Sequence, residues 1–355
     1  MLNNRVVLIT GGTGSFGRKF TEVVFKNYEP KKLIVLSRDE FKQYQMAKTF
    51  PDTKYPIRYF LGDIRDKDRL FRAFEGVDYV VHAAALKQVP ALEYNPTEAV
   101  KTNVVGADNI VDAAIDAGVK KVIALSTDKA VNPINLYGAT KLVAEKIFIA
   151  ANAYAGGRVK FAVVRYGNVV GSRGSVIPLF LSFKEQGTKE IPITDMRMTR
   201  FWITLEQGVN LVLKALEESE GGEVFVPKIP SMSIIDVAKA INPDFRFKII
   251  GIRPGEKVHE TLISEDEARA TKIFDGIFVI LPQFFDKKMH KKYEKCPSVS
   301  DDFVYGSDTN EEWLTAEDLE RMIYRKETGV VGIKIIDTPI NHEKYSLQPS
   351  VHRRK

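Results

Sequence analysis

Tyr137 and Lys141 are the residues from which chemistry is most readily built. Spaced i, i+4, they share one face of a helix. A cation beside a phenol favours the phenolate, so Lys141 is expected to make Tyr137 usable as a base nearer neutral pH. A lone Tyr-x-x-x-Lys arises often by chance. Here it follows the tetrad Ser126-Thr127-Asp128-Lys129, which closes an apolar run. On local sequence alone, Asp128 and Lys129 read equally well as an acid–base pair or as an ion pair in a loop.

A second constellation lies near the N-terminus, where an apolar run passes into Thr10-Gly11-Gly12-Thr13-Gly14-Ser15-Phe16-Gly17. Gly11, Gly14 and Gly17 follow a Gly-x-x-Gly-x-x-Gly spacing. Glycine lets the backbone turn tightly, approach a pyrophosphate and pack the next helix against the strand, whose N-terminal N–H groups then face the phosphates. The context points to a dinucleotide, with Thr13, Ser15 and Phe16 in the same turn. Ser37-Arg38-Asp39 follows the second apolar run, about 20 residues past the last glycine, where NAD sites place an acid. A hydroxyl and a guanidinium suit the 2′-phosphate of NADP, and Lys42 adds a cation one helical turn on. The alternative leaves Arg38 solvated and gives the ribose to Asp39. In Gly62-Asp63-Ile64, Asp63 is placed to accept from an adenine amino group, or is a plain turn aspartate. Ala83, Ala84 and Ala85 are small enough for close approach of a cofactor, and Lys87 follows them. Lys141 can also hold the nicotinamide ribose.

These residues need a frame. Short, uniformly apolar runs at 6–9, 33–36, 57–61, 79–83, 122–125 and 161–164 read as strands buried on both faces. Amphipathic stretches between them, such as 97–117 and 136–155, read as helices. The alternation predicts an α/β fold, a doubly wound parallel sheet with a smaller C-terminal substrate-binding domain. Further helices are expected over 205–218, 233–241 and 264–271. The division expected is a cofactor domain over 1–170 with a returning segment near 195–229. A substrate domain then takes 171–194 and 230–325, and a tail takes 326–355.

Composition narrows the function classes. The 355 residues carry 52 basic and 46 acidic side chains, a mild net +6. The one basic run, at 352–355, reads as a solvated end, so no nucleic-acid partner is expected. Cys296 is the sole cysteine, which fits a reducing compartment. No apolar run approaches the roughly 18 residues of a spanning helix, and no signal-peptide pattern is seen. A cytoplasmic location without membrane contact is the expectation. No metal ligand is assigned, and His259 reads as structural.

Together the glycine motif, the Ser-Thr strand end and Tyr-x-x-x-Lys resemble the extended short-chain dehydrogenase/reductases that modify sugar nucleotides. Thr127-Asp128-Lys129 with Tyr137-Gly138-Ala139-Thr140-Lys141 is similar to the soluble UDP-N-acetylglucosamine 4,6-dehydratases that invert C5 and open the route to pseudaminic acid. The likeness extends to residue 325 or so, through the stretches 165–175, 198–202, 253–257 and 305–310. It implies that Tyr137 takes the C4-hydroxyl proton, Thr127 bonds the C4 oxygen, Lys129 removes the C5 proton and Asp128, protonated, releases the C6 hydroxyl as water. Lys129 then needs a lowered pKa, expected from burial and neighbouring charge. It implies a UDP-sugar held by Lys87, Asn168, Arg173, Ser175, Val176, Thr194, Arg200, Arg253 and Glu256, and a homo-oligomer, dimer or hexamer. Rival readings remain: a retaining dehydratase, a C5-epimerising dehydratase or 4-epimerase on a related UDP-sugar, and a non-catalytic NADP-binding regulator. An epimerase needs neither a C5 base nor a C6 proton donor.

Overall fold

The computed structural model describes residues 1–172, 174–283 and 287–324; the expected tail lies outside them. Each of the six apolar runs is a strand: β1 (Val6–Thr10), β2 (Lys32–Ser37), β3 (Ile57–Leu61), β4 (Tyr79–His82), β5 (Lys121–Leu125) and β6 (Lys160–Val164). The intervening helices are α1 (Ser15–Asn27), α2 (Glu40–Thr49), α3 (Lys67–Phe74), α4 (Val89–Tyr94), α5 (Pro96–Ala99), α6 (Gly106–Asp116) and α7 (Leu136–Tyr154). The nine-stranded sheet runs Thr271–Phe274, Ile277–Ile280, Val224–Pro227, β6, β5, β4, β1, β2, β3. All six β strands pair in parallel, and β1 is flanked by β2 and β4. Strand order therefore reverses between β1 and β4, and a crevice opens at their C-terminal ends, where open α/β sheets take ligands.

Three expectations change. The stretch 97–117 is not one α-helix: α5 passes through a π-helical segment, Val100–Val105, into α6. The helix expected over 264–271 is a single turn, Glu265–Ala268, started by a Ser264–Glu267 capping box. The chain then enters an antiparallel hairpin, Thr271–Phe274 with Ile277–Ile280. Its turn residues Asp275 and Gly276 both have positive φ, 46° and 77°, the conformation that Asp-Gly favours in two-residue hairpins. This hairpin extends the cofactor sheet, so the expected boundary at 230 does not divide the layers.

A second, smaller core gathers Val170, Ile177, Phe180, Ile191, Trp202, Val237 and Leu319. It contains the helices Val176–Glu185, Ile234–Ile241 and Ala316–Tyr324. The parallel pair Glu190–Ile193 and Arg246–Ile249 belongs to the same lobe. Among the described residues, no helix is long and apolar enough to cross a membrane.

Candidate active site

A cleft of about 610 Å³ runs from the glycine turn past the tips of β2, β4 and β5 to the loop after β6. Gly11, Thr13, Gly14, Ser15 and Phe16 line one end. Gly11 has φ 64°, and a Cβ there would stand 2.9 Å from the Ala84 backbone; neither the turn nor the strand contact admits a side chain. Gly14 caps α1 with no side-chain bond, so the first amides of the helix face the cleft without a side-chain acceptor. Gly17 lies outside the lining; its Cβ would meet the Gly12 oxygen at 2.3 Å, so it serves helix–turn packing.

Ser37, Arg38, Asp39 and Lys42 line the same end. The Ser37 and Thr13 hydroxyls are 2.8 Å apart. Asp39 is the N-cap of α2, accepting from the Lys42 amide, and its carboxylate pairs with Lys42 Nζ at 2.6 Å. Arg38 is half exposed, 3.6 Å from Asp63. Gly62 and Ile64 reach the cleft, but Asp63 is not in its lining. The Asp63 carboxylate accepts from Arg65 Nε and a guanidinium NH2 at 3.0 and 2.7 Å. Burial would raise its pKa, yet the Arg65 and Arg38 cations hold it below the usual carboxylate range. The adenine contact expected of Asp63 therefore meets a carboxylate already claimed by Arg65. These groups fit a dinucleotide: a side-chain-free glycine cradle, an open helix N-terminus, and cations where a 2′-phosphate would lie.

Ala83, Ala84, Ala85 and Lys87 form the middle wall, and Thr102 also lines the cleft. Ser126, Thr127, Asp128, Lys129, Tyr137 and Lys141 form the reactive wall. A 3₁₀ turn over Asp128–Ala130 is capped by Thr127, and Asn135 caps α7 by accepting from the Gly138 amide. Gly138 has no room for a Cβ, which would lie 2.0 Å from the Lys129 carbonyl oxygen. That contact sets the start of α7, and hence Tyr137, against the turn bearing Asp128 and Lys129. Tyr137 hydrogen-bonds Thr127; burial pushes its phenol up to about 12, while Lys129 pulls it down. The cation that eases its ionisation is thus Lys129, whereas Lys141 donates to the Leu125 carbonyl at 2.6 Å. Burial brings Lys141 down to about 8 against the opposing pull of Glu145.

Asp128 is fully buried. Its Oδ1 accepts from Thr127 Oγ1 at 2.7 Å and from Lys129 Nζ at 3.1 Å. Its Oδ2 has no partner among the described residues. The lowered pKa expected for Lys129 is not found. Burial alone would depress it, but the Asp128 and Glu260 carboxylates outweigh burial and hold the ammonium above the ordinary lysine range.

On the substrate side, Asn168, Ser175 and Val176 line the cleft, and Ser175 Oγ donates to the Ser172 carbonyl at 2.7 Å. Arg173 lies outside the described residues. Thr194, Arg200, Arg253 and Glu256 do not line it. Thr194 bonds the Met198 sulfur at 3.0 Å. Arg200 is buried and donates to the carbonyls of Thr199, Lys257 and Val258, so it holds the chain before Glu260. Arg253 is exposed and 3.7 Å from Glu256.

Sequence reasoning missed four residues. Asn103 bonds both the amide and carbonyl of Leu86 at 2.9 Å and Thr140 Oγ1 at 3.1 Å, pinning the loop after β4 to α7. Glu145 and Arg165 form a buried pair at 2.6 Å, and Glu145 also takes the Ser126 hydroxyl. Glu260 stands 3.3 Å from Lys129. The position of Glu145, one helical turn past Lys141, was a usable signal; the others depend on distant chain segments.

Residues 7–282 match the family model described as polysaccharide biosynthesis protein. A Campylobacter jejuni protein (subsp. jejuni serotype O:2) named UDP-N-acetylglucosamine 4,6-dehydratase (inverting) is 53% identical over 334 residues, covering 92% of this chain and 99% of that one. A Rickettsia canadensis protein named UDP-glucose 4-epimerase is 45% identical, covering 78% of this chain and 82% of its own. The X-ray structure of Pen from Bacillus thuringiensis superposes with a TM-score of 0.83 at 38% identity, covering 91% of this chain and 98% of that one. With the nucleotide cleft and the Tyr-x-x-x-Lys wall in place, the chain belongs to the polysaccharide biosynthesis protein family of the extended short-chain dehydrogenase/reductases.

Proposed function

We propose that the chain is an NADP-dependent UDP-N-acetylglucosamine 4,6-dehydratase that inverts C5. The observation that carries this reading is the meeting of two acid–base sets on one wall: Tyr137 with Thr127, and Asp128 with Lys129. An alcohol oxidation needs the first set. The elimination of water needs the second, and an epimerase would have no use for it.

Ser37, Arg38 and Lys42 would hold the 2′-phosphate, the glycine turn the pyrophosphate, and Lys141 the nicotinamide ribose. When bound, the nicotinamide would supply hydride chemistry, accepting from C4 and returning to C6. Tyr137 takes the proton of the C4 hydroxyl, and Thr127 steadies the C4 oxygen. The resulting 4-ketone acidifies the C5 proton, which Lys129 removes. Asp128 gives a proton to the departing C6 hydroxyl. Lys129 acts as a base only as the free amine and Asp128 as an acid only when protonated. One proton moved across their 3.1 Å contact produces both forms.

Substrate identity draws on the Campylobacter relative's name; that Lys87, Asn168, Ser175 and Val176 line the cleft supports their meeting the UDP-sugar. The test is incubation with UDP-N-acetylglucosamine in deuterated water. The expected product is the L-arabino 4-keto sugar with solvent deuterium at C5, seen by NMR at early times, with no net build-up of reduced cofactor. A first product of D-xylo configuration overturns inversion. A C4 epimer that keeps its C6 hydroxyl decides for the epimerase reading suggested by the Rickettsia relative's name.

A further inference from the structure

We propose that Glu260 is a positioning residue for the acid–base pair, its carboxylate anchoring the Lys129 ammonium opposite Asp128 so that one proton stays resident on the pair; this role rests on the dehydratase reading. Glu260 lies outside the motifs that mark the site and comes from a segment distant in sequence, just before the strand Thr261–Ile263. It is 2% exposed. Its Oε1 stands 3.3 Å from Lys129 Nζ and 3.8 Å from Arg200 Nε. Its backbone is fixed on both sides by Ser307: the amide donates to Ser307 Oγ at 2.9 Å, and the carbonyl accepts from the Ser307 amide at 2.8 Å. A glutamate held this firmly and this deep has little freedom except to face Lys129.

Beside Lys129, Asp128 Oδ2 and Glu260 Oε2 are buried without a hydrogen-bond partner among the described residues. An unpartnered buried acceptor is costly; on Asp128 it leaves an oxygen able to carry the proton that the leaving group needs, while Glu260 keeps its charge toward Lys129 and Arg200. At the start, Lys129 carries the shared proton and Asp128 is ionised. Passing that proton to Asp128 leaves a free amine and a carboxylic acid. The amine takes the C5 proton; the C5–H electrons form the C5–C6 double bond; the C6–O bond breaks, and the hydroxide leaves as water with the Asp128 proton. Lys129 ends as ammonium and Asp128 as carboxylate, with one proton on the pair as before. Glu260 stays ionised throughout, beside Arg200, and stabilises the ammonium that C5 deprotonation creates.

The charged and titratable groups around Lys129 are few. Asp128 lies on its own turn, Tyr137 on α7, Arg200 on the strand Thr199–Ile203, and Lys257 with Glu260 on the segment before Thr261. His259 sits in that segment too but bonds Thr199 Oγ1. Removing the Glu260 charge leaves Lys129 with Asp128 as its one nearby anion, so the pair loses its proton at lower pH.

The experiment uses wild type, E260Q and E260D with cofactor bound and UDP-N-acetylglucosamine deuterated at C5. Nicotinamide absorbance follows the oxidation at C4, and deuterium loss from C5 follows the elimination. E260Q is expected to slow C5 deuterium loss at least about tenfold more than it slows nicotinamide reduction. Its alkaline limb for C5 deuterium loss should move down by about one pH unit or more, the scale of losing one close opposite charge. E260D, which keeps the charge, should keep the limb near the wild-type pH. An unshifted limb in E260Q, or an equal loss of both steps, overturns the role. A wild type that reduces no cofactor and releases no C5 deuterium overturns the dehydratase reading itself, and this role with it.

Discussion

On the proposed mechanism Lys129 has to be a free amine when it meets the C5 proton, yet it rests as an ammonium between two carboxylates. The two facts agree because the proton has somewhere to go: Asp128 Oδ1 is 3.1 Å away and needs that proton for the leaving group. Lys129→Ala is therefore expected to separate the half-reactions. Single-turnover cofactor reduction should still occur, slowed by loss of the cation beside Tyr137, while water elimination fails; full dehydration by this variant would remove Lys129 as the base. Tyr137→Phe acts earlier. Burial already pushes the phenol up to about 12, so substrate oxygen, Thr127 and nearby cations must bring it back at the moment of transfer. Loss of a positioned general base costs about 10²–10⁴-fold, and cofactor reduction should fall in that range in stopped-flow absorbance. Arg38 is argued by charge. A hydrogen bond to a charged group contributes about 1.5–3 kcal/mol, so Arg38→Ala should weaken NADP roughly ten- to a hundredfold and leave NAD nearly unchanged. Titration of both cofactors checks this, and an unaltered preference assigns the 2′-phosphate elsewhere.

At the scale of elements, the decisive joint is between the turn Asp128–Ala130 and the start of α7. Gly138 sits at that joint, where an added Cβ would lie 2.0 Å from the Lys129 carbonyl oxygen. Backbone cannot yield as a side-chain tip can, so Gly138→Ala must move either the helix start or the catalytic turn. Overpacking of this kind costs typically about 1–3 kcal/mol, and a urea melt should show it. Activity should fall further than stability suggests, because Tyr137 shifts relative to Lys129; a variant with wild-type turnover would show that the joint adjusts freely. Sequence had marked both sides of this joint, since a strand end and a Tyr-x-x-x-Lys helix carry local patterns. The six parallel strands were equally legible, because burial on both faces demands uninterrupted apolar runs. The Asp275-Gly276 turn carried its signal in turn chemistry, and Thr271, the end of the expected helix, is instead the first residue of the hairpin. The π-helical segment at Val100–Val105 had no such mark, as its residues suit an ordinary helix. Glu260 and Arg165 were invisible for another reason. Their partners lie across the chain, and a lone Glu or Arg on a sequence has no pattern to betray burial. For Arg200 and Arg253 a phosphate-binding charge was the expectation; the fold uses the first for carbonyls and pairs the second with Glu256, outside the cleft.

Across the whole molecule, Arg165 ties three parts together. It leaves the end of β6, is buried to 1%, and reaches Glu145 on α7 at 2.6 Å and Glu267 of the C-terminal segment at 3.0 Å. It also donates to the Leu262 carbonyl at 2.9 Å, two residues past Glu260. The same cation therefore braces the helix that carries Tyr137 and the segment that brings Glu260 to Lys129. Taking the cation away leaves two carboxylates facing each other without it, and breaking a buried pair in this way costs about 3–5 kcal/mol. Arg165→Met should lose about that much stability at neutral pH. The pH dependence gives the prediction its sign. Burial would raise the Glu267 pKa, but Arg165 and the Ser264 bonds hold it below the ordinary carboxylate value. In the wild type the Glu267 contribution is thus complete above the unfolded carboxylate range, about 4.3, and is lost as pH falls through the lower folded value. In Arg165→Met the main opposing cation is gone and burial prevails, so Glu267 binds its proton more readily folded than unfolded. That variant then gains stability relative to wild type as pH falls from 7 toward 5. Urea melts of both proteins at several pH values should show the deficit shrinking over this range. A deficit that stays constant from pH 8 to pH 5 would mean that lost packing, rather than an uncompensated buried carboxylate, is what the substitution costs.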